Sequence, residues 1–333
     1  MTIRVAATMT ALALLAGSAL AQTPIKPAVT FDVGGKFDKS FNEASYNGAE
    51  AFKKKTGIAY REFEITNDAQ REQALTRFAR DGQDPIVATG FSNGSALKKV
   101  AEQFPKTRFT IIDFVVDLPN VQSIVFKEHE GSYLVGLMAA KASKSGKVGF
   151  VGGMDIPLIR KFACGYVQGV KAGNPNAEVF QNMTGTTGAA FNDPVKGGEL
   201  AKSQIDRGAD VIYHAAGGTG IGVLRAAADA GKLGIGVDSN QNGLYPGKVL
   251  TSMLKRVEVA VENTLTQANN GTWKPGVTVL GLAEGGVGYA LDDNNKALVT
   301  ADMKAAVDKA EADIKAGTVK VHDYMADQKC PVQ

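Results

Sequence analysis

The 333-residue chain is poor in the residues that build metal centres. It holds two cysteines, Cys164 and Cys330, and three histidines, His129, His214 and His322. No Cys-x-x-Cys or His pair accompanies them, so the ligand spacing of a structural zinc site is missing. Dense basic stripes are absent too. Net charge is +3, and the one basic run, Lys53-Lys54-Lys55, closes an expected helix, where it complements the helix dipole. Nucleic acid is not an expected partner. Beyond the N-terminal segment no stretch is apolar enough to span a bilayer. Nucleotide fingerprints also fail. Gly217-Gly218-Thr219-Gly220-Ile221-Gly222 has no three glycines at G-x-G-x-x-G offsets. Gly243 to Lys248 is too short for a P-loop and is followed by Val249 instead of Ser or Thr.

The N-terminus reads as an export leader. Arg4 gives a positive start, Val5 to Ala16 is a short apolar run, and Ala19-Leu20-Ala21 fits the small-x-small cleavage rule, with the cut before Gln22. Leu15-Ala16-Gly17 resembles the start of a lipoprotein box, but Ser18 stands where the lipidated cysteine belongs. The expectation is a mature chain free in the periplasm. In that oxidising compartment a Cys164–Cys330 disulfide is the leading reading, against two unpaired buried thiols.

Composition is that of a globular protein, with 44% hydrophobic and 21% charged residues. Strand-like runs near 28–33, 58–64, 85–89, 108–113 and 121–126 are followed by a second set near 147–152, 177–183, 209–214 and 234–238. Helical patterns lie between them at 41–56, 68–81, 93–104, 128–145, 157–173, 193–207 and 219–231. Such alternation argues for parallel sheets made of βαβ units. Four strand centres of the first set recur in the second at offsets of about 119–125 residues, while the residues themselves do not repeat, so two doubly wound lobes are expected. A helix over 255–271, a strand over 277–281 and a helix over 302–316 remain. They imply crossings between lobes near 126, 252 and 284. The expected lobes are 22–126 with 253–284, and 127–252 with 285–333.

Ligands of open parallel sheets bind beyond the carboxyl ends of the strands. Here those ends carry Gly and Asp: Asp32-Val33-Gly34-Gly35, Thr89-Gly90-Phe91-Ser92, Asp113, Gly152-Gly153-Met154-Asp155, Ala216-Gly217-Gly218-Thr219 and Val237-Asp238-Ser239. Any one glycine is explained by a tight turn, but their recurrence in both lobes points to one shared cleft. Two clusters add aromatics. In Asp38-Lys39-Ser40-Phe41-Asn42, Ser40 or Asp38 caps the next helix. In Phe191-Asn192-Asp193-Pro194, Asn192 or Asp193 caps and Pro194 takes the first helical position. Capping leaves the aromatics unexplained. Two rings from opposite lobes suit a flat heterocycle, and nearby carboxylates suit a diol.

At these clusters the chain resembles the basic membrane protein family of solute receptors for ABC transporters, the group that contains purine-nucleoside receptors. The carrying segments are Gly34 to Asn42, Ile111-Ile112-Asp113, Val125 to Ser132, Phe191 to Gly197, Gly236-Val237-Asp238 and Thr251 to Lys255. The resemblance implies a type I periplasmic-binding-protein fold, two doubly wound parallel-sheet lobes joined by a three-crossing hinge. It implies a purine stacked between Phe41 and Phe191 with Asp38 on the base edge. Asp113, Asp238 and Lys255 hold the ribose hydroxyls, aided by backbone near Gly217, and Asn42 completes the ligand-binding set. A carboxylate accepts from two vicinal hydroxyls, and Lys255 donates to the same oxygens while neutralising the Asp pair.

The expected function is therefore capture of a purine nucleoside for a membrane permease by a monomer without cofactor, metal or catalytic group. The alternatives are a receptor for a free purine base or another small polar solute, and a nucleoside hydrolase. The hydrolase needs an activated water, usually held by a metal–carboxylate cluster, and no clustered Asp motif of that kind appears.

Overall fold

The computed structural model describes residues 25–332. The leader expected over residues 1–21 lies outside the described residues. The chain begins with β1 (Ala28–Phe31), α1 (Phe41–Thr56), β2 (Arg61–Glu64), α2 (Ala69–Arg80), β3 (Ile86–Ala88), α3 (Gly94–Gln103), β4 (Phe109–Ile112) and β5 (Val121–Phe126). It continues with α4 (Glu128–Ala142), β6 (Lys147–Met154), α5 (Pro157–Gly173), β7 (Glu178–Gly185), α6 (Pro194–Asp206), β8 (Val211–Ala215), α7 (Thr219–Asp229), β9 (Leu233–Asp238) and β10 (Val249–Lys255). The last elements are α8 (Val257–Asn269), β11 (Gly276–Leu280), β12 (Val287–Tyr289) and α9 (Ala301–Lys315).

Two six-stranded sheets result, ordered β11-β5-β4-β3-β1-β2 and β12-β10-β9-β8-β6-β7. Every pairing is parallel except β10 with β12. The first five strands of each half take the same order, second-first-third-fourth-fifth, so the halves repeat one architecture. Burial follows position. Central β1 is buried at all four residues, as covered parallel strands are, whereas edge strand β2 alternates half-buried and exposed side chains. Helix α1 ends where expected. Gly57 takes a left-handed φ of 75° and donates its N–H to the Lys53 carbonyl.

Two strands depart from the sequence reading. The helix expected from 255 starts at Val257, and the chain before it stays in β10 through Lys255. No Gly or Pro stands between Val249 and Val257, so no strong breaker separates strand from helix in the sequence. The crossing expected near 252 falls inside β10. This strand pairs with β9 through Leu254 and with β12 through Lys255, so the chain leaves the second sheet only after Lys255. Antiparallel β12 has three residues, too few for a pattern. The crossings are knitted by backbone bonds, from Lys127 N–H to the Leu280 carbonyl at 3.0 Å and from Arg256 N–H to the Gly286 carbonyl at 2.9 Å.

Helices α4 and α5 pack closely because glycines remove the side chains between them. A Cβ at Gly136 would run into the Tyr166 carbonyl, and one at Gly165 into the His129 backbone. This contact sets the first half of α4 against the middle of α5. Helix α5 also holds the tail. Cys164 is joined to Cys330 with 5.5 Å between Cα atoms, and Gln168 accepts from His322 N–H and donates to its carbonyl. Cys330→Ser should free the chain after α9 and lower stability by about 2–4 kcal/mol. Urea unfolding and limited proteolysis check this. An unchanged midpoint with an uncut tail would show that the bridge constrains nothing.

Candidate functional site

A cleft lined by residues of both sheets lies between the lobes. Asp38, Phe41, Asn42, Asp113, Phe191, Gly217, Asp238 and Lys255 all line it. They arrive from six places in the chain, all at or just beyond the carboxyl ends of strands: the β1–α1 loop with the start of α1, β4, the β7–α6 turn, β8, β9 and β10.

Asp113 and Asp238 occupy equivalent positions, the carboxyl ends of the fourth strand of each half. Both adopt left-handed backbone, with φ of 71° and 62°. That region is uncommon outside glycine, though Asp tolerates it better than most residues. Two such aspartates at matching points of one cleft mark a site built for function at a cost in local strain. Lys255 Nζ lies 2.5 Å from Asp113 Oδ2 and 3.0 Å from Glu128 Oε1. Asp113 Oδ1 is buried without a partner. Asp238 Oδ2 accepts from Ser40 Oγ at 2.5 Å, a bond between lobes. Ser239 Oγ donates to the Ser40 carbonyl and Gln241 Nε2 to the Lys39 carbonyl, both at 3.0 Å, so the lobes meet here.

Asp38 is the cap of α1. Its Oδ1 accepts from Ser40 N–H and Glu43 N–H, its Oδ2 from Asn42 N–H. Ser40 makes no cap bond and is freed to reach Asp238. The Asn42 amide is engaged with the Asp32 backbone, donating to its carbonyl at 3.1 Å and accepting from its N–H at 2.8 Å. Asn42 thus holds the cleft wall in shape. On the other lobe Asp193 caps α6 by accepting from Lys196 N–H.

Phe191 sits in a 3-10 turn, Gly188–Phe191, and its ring fills the space that a Cβ at Gly153 would need. Gly217, at φ +53°, passes beneath it, and a Cβ there would lie 3.3 Å from the Phe191 carbonyl. The ring that Phe191 meets across the lobes is Phe91, edge-on at 6.3 Å. Phe41 lies beside Lys255, whose ammonium is 5.0 Å from its ring centre. Phe91, Phe162, Ser40 and Glu128 lie outside the ligand-binding set expected from sequence. Phe91 follows a glycine at a strand end, which is the signal that could have found it. Gly90-Phe91-Ser92-Asn93-Gly94 also has the G-x-S-x-G spacing of a nucleophile elbow. No histidine serves Ser92. His214 is bonded to Gln241, His322 to Asp327, and His129 faces Asp323.

The cleft carries more acceptors than donors. Burial pushes Asp113 and Asp238 up to about 6 against the pull of Lys255, and Glu128 adds to the rise of both. Burial also raises Asp38 to about 6 in spite of three backbone N–H donors. Burial alone would lower Lys255, but Asp113, Glu128 and Asp238 outweigh it and hold the ammonium protonated. Such a pocket suits a ligand rich in O–H and N–H groups.

Residues 25–323 match the family model described as Bmp, ABC transporter substrate-binding protein PnrA-like. A CD4+ T-cell-stimulating antigen of Listeria monocytogenes is 35% identical over 317 residues, covering 88% of this chain and 87% of the relative. The ABC transporter nucleoside-binding protein BmpA of Lactococcus lactis is 33% identical, covering 90% of each. An uncharacterized lipoprotein of Pyrococcus abyssi is 36% identical over 282 residues, covering 80% of this chain and 69% of the relative. Among solved structures, an ABC transporter solute-binding protein from Aeropyrum pernix superposes with a TM-score of 0.82 at 29% identity, covering 89% of this chain and 93% of that one. The two-lobed fold is that of periplasmic solute-binding proteins.

The raised carboxyls set a pH dependence. A group whose folded pKa exceeds its unfolded value contributes stability fully present below the unfolded value and lost as pH rises through the folded one. For Asp238 that window runs from about 4 to about 6. Asp238→Asn should leave the unliganded protein unchanged near pH 4 and stabilise it by about 1–3 kcal/mol at pH 7.5. Urea unfolding at both pH values tests this. An Asn variant that gains nothing on going from pH 4 to 7.5 would contradict it.

Proposed function

The chain belongs to the Bmp family of PnrA-like ABC transporter substrate-binding proteins, and from that premise we propose that its solute is a purine nucleoside. The observation that carries the reading is the pair of left-handed aspartates, Asp113 and Asp238, facing one cleft with Lys255 beside them and Phe191, Phe91 and Phe41 around it. The two carboxylates accept from vicinal ribose hydroxyls, and Lys255 donates to the same oxygens. The rings hold the base by its faces. Asp38 retains lone pairs for a donor on the base edge, and the Gly217 backbone closes the cleft beneath Phe191. Similarity to a relative named as nucleoside-binding supports the same ligand class.

In this reading the protein is a monomer that works outside the cytoplasmic membrane, closes its lobes on the ligand and delivers it unchanged to the permease. Among the described residues no helix is long and apolar enough to cross a membrane. Relatives named as lipoproteins make an anchor a real option for the family. Here Ser18 supplies no thiol at the box position, which favours a receptor free in the periplasm.

Titration calorimetry of ligand-stripped protein with adenosine, guanosine, inosine and the free bases tests the assignment. Asp238→Ala should weaken nucleosides by about 1.5–3 kcal/mol, the scale of hydrogen bonds to a charged group, and free bases much less. Phe191→Ala should weaken both. Bases that bind as tightly as nucleosides would overturn the ribose assignment. Binding should also weaken as pH falls below about 6, because a proton on Asp113 or Asp238 competes with ligand donors. Affinity that stays level from pH 7.5 to 5 would show that neither carboxylate accepts from the ligand.

A further inference from the structure

A row of buried charges runs from the cleft wall back into the hinge. Glu128 is the first residue of α4, immediately after the first crossing, and is 0% exposed. One of its oxygens is 3.0 Å from Lys255 Nζ and the other 3.0 Å from Lys161 Nζ. The angles make these ion pairs instead of aligned hydrogen bonds. Lys161, on α5, also donates to the Phe126 carbonyl at 2.6 Å, the last strand residue before the crossing, and faces Asp323 of the tail at 3.6 Å. The signs alternate from Asp113 in the first lobe through Lys255, Glu128 and Lys161 to Asp323.

Burying such a row is expensive, and well-packed apolar side chains would stabilise the hinge at least as well. Its geometry bears on the ligand site instead. The Lys255 ammonium has three protons. Asp113 takes one at 2.5 Å, and the rings of Phe41, Phe126 and Phe162 surround the charge at 5.0, 5.1 and 5.5 Å. The second carboxylate, Glu128, draws the ammonium toward the hinge, which leaves Asp113 Oδ1 open and one proton for the cleft. Without Glu128, Lys255 would be Asp113's alone.

We propose that Glu128, backed by Lys161, is a positioning residue of the ligand site: it shares Lys255 with Asp113 and so sets the charge that Asp113 presents to ligand donors. For the ligand this rests on the nucleoside reading above, but the effect on Asp113 exists in the empty protein. The charged groups that face Asp113 are Lys255 from β10, Glu128 from α4 and Asp238 from β9. Lys255 lowers the Asp113 pKa while Glu128 and Asp238 raise it. Removing the Glu128 charge therefore lets Asp113 ionise more readily. At the separations involved, within two short ion-pair contacts, the change should be about one pH unit.

Carbon-13 NMR of aspartate-labelled, unliganded protein reads this directly, with the Asp113 signal assigned by its loss in Asp113→Asn. In Glu128→Gln the Asp113 midpoint should fall by about one pH unit. In Glu128→Asp, which keeps the charge, it should stay near the wild-type value. The double variant Glu128→Gln/Lys161→Met removes the pair together, leaves no unpaired charge from it, and should lower the midpoint in the same direction. An Asp113 midpoint unmoved in Glu128→Gln or in the double variant would overturn the proposal and reduce Glu128 to a packing role. In a second arm, the acid limb of adenosine binding should be displaced to lower pH by about one unit in Glu128→Gln. If adenosine fails to bind even the wild type, the nucleoside reading fails while the NMR arm still decides the role of Glu128.

Discussion

The ammonium of Lys255 stands between two carboxylates from distant parts of the chain, Asp113 at 2.5 Å and Glu128 at 3.0 Å, with almost no access to water. Each partner lies in a different structural context: the first sheet's β4, the second sheet's β10 and the start of α4 at the first crossing. A charge in this position has to be matched, because an unpaired buried ion costs several kcal/mol. Matching it requires β4, the end of β10 and the first turn of α4 to converge. The hinge and the ligand site are therefore one construction, and the ion pairs that hold the crossings together also form the wall of the cleft.

The architecture around that centre is a repeat. Both sheets order their first five strands alike, and both end their fourth strand in an aspartate with left-handed backbone. The crevice beyond the carboxyl ends, where a single doubly wound sheet binds its ligand, is here enclosed by a second sheet of the same kind. Lobe closure supplies what one sheet lacks. Ser40 of the first lobe reaches Asp238 of the second, and Phe91 meets Phe191 edge-on. Three carboxyls raised to about 6 in the unliganded cleft make the empty site costly. A ligand that donates to them recovers part of that cost on binding, which couples ligand chemistry to closure.

Much of this was legible in the sequence because the controlling features are local. Strand–helix alternation, the Gly and Asp strand ends and the Pro157 and Pro194 helix starts all have short-range signatures. Helices α1 and α5 fall on their expected bounds, and the eight chosen ligand-binding residues line a single cleft. What escaped depends on contacts between distant residues. β10 escaped because no Gly or Pro between Val249 and Val257 marks where strand gives way to helix, and its strand character comes from pairing with β9 and β12. Glu128 reads as an ordinary acidic residue in a helix's first turn, and only the approach of α5 and β10 reveals two lysines beside it. Ser40 and Asp38 both read as caps, and only the structure shows that Asp38 takes the role and leaves the Ser40 hydroxyl for the other lobe.

The most direct test of the central claim, a cleft whose acceptors and rings select a purine nucleoside, is the identity of the molecule the protein carries from the cell. Protein purified natively, without added ligand, can be denatured and its bound small molecules identified by mass spectrometry. The account predicts an intact purine nucleoside, released from the wild type and depleted in Asp113→Ala and Asp238→Ala. A free base, a sugar or another solute recovered in its place, depleted by the same substitutions, would contradict it.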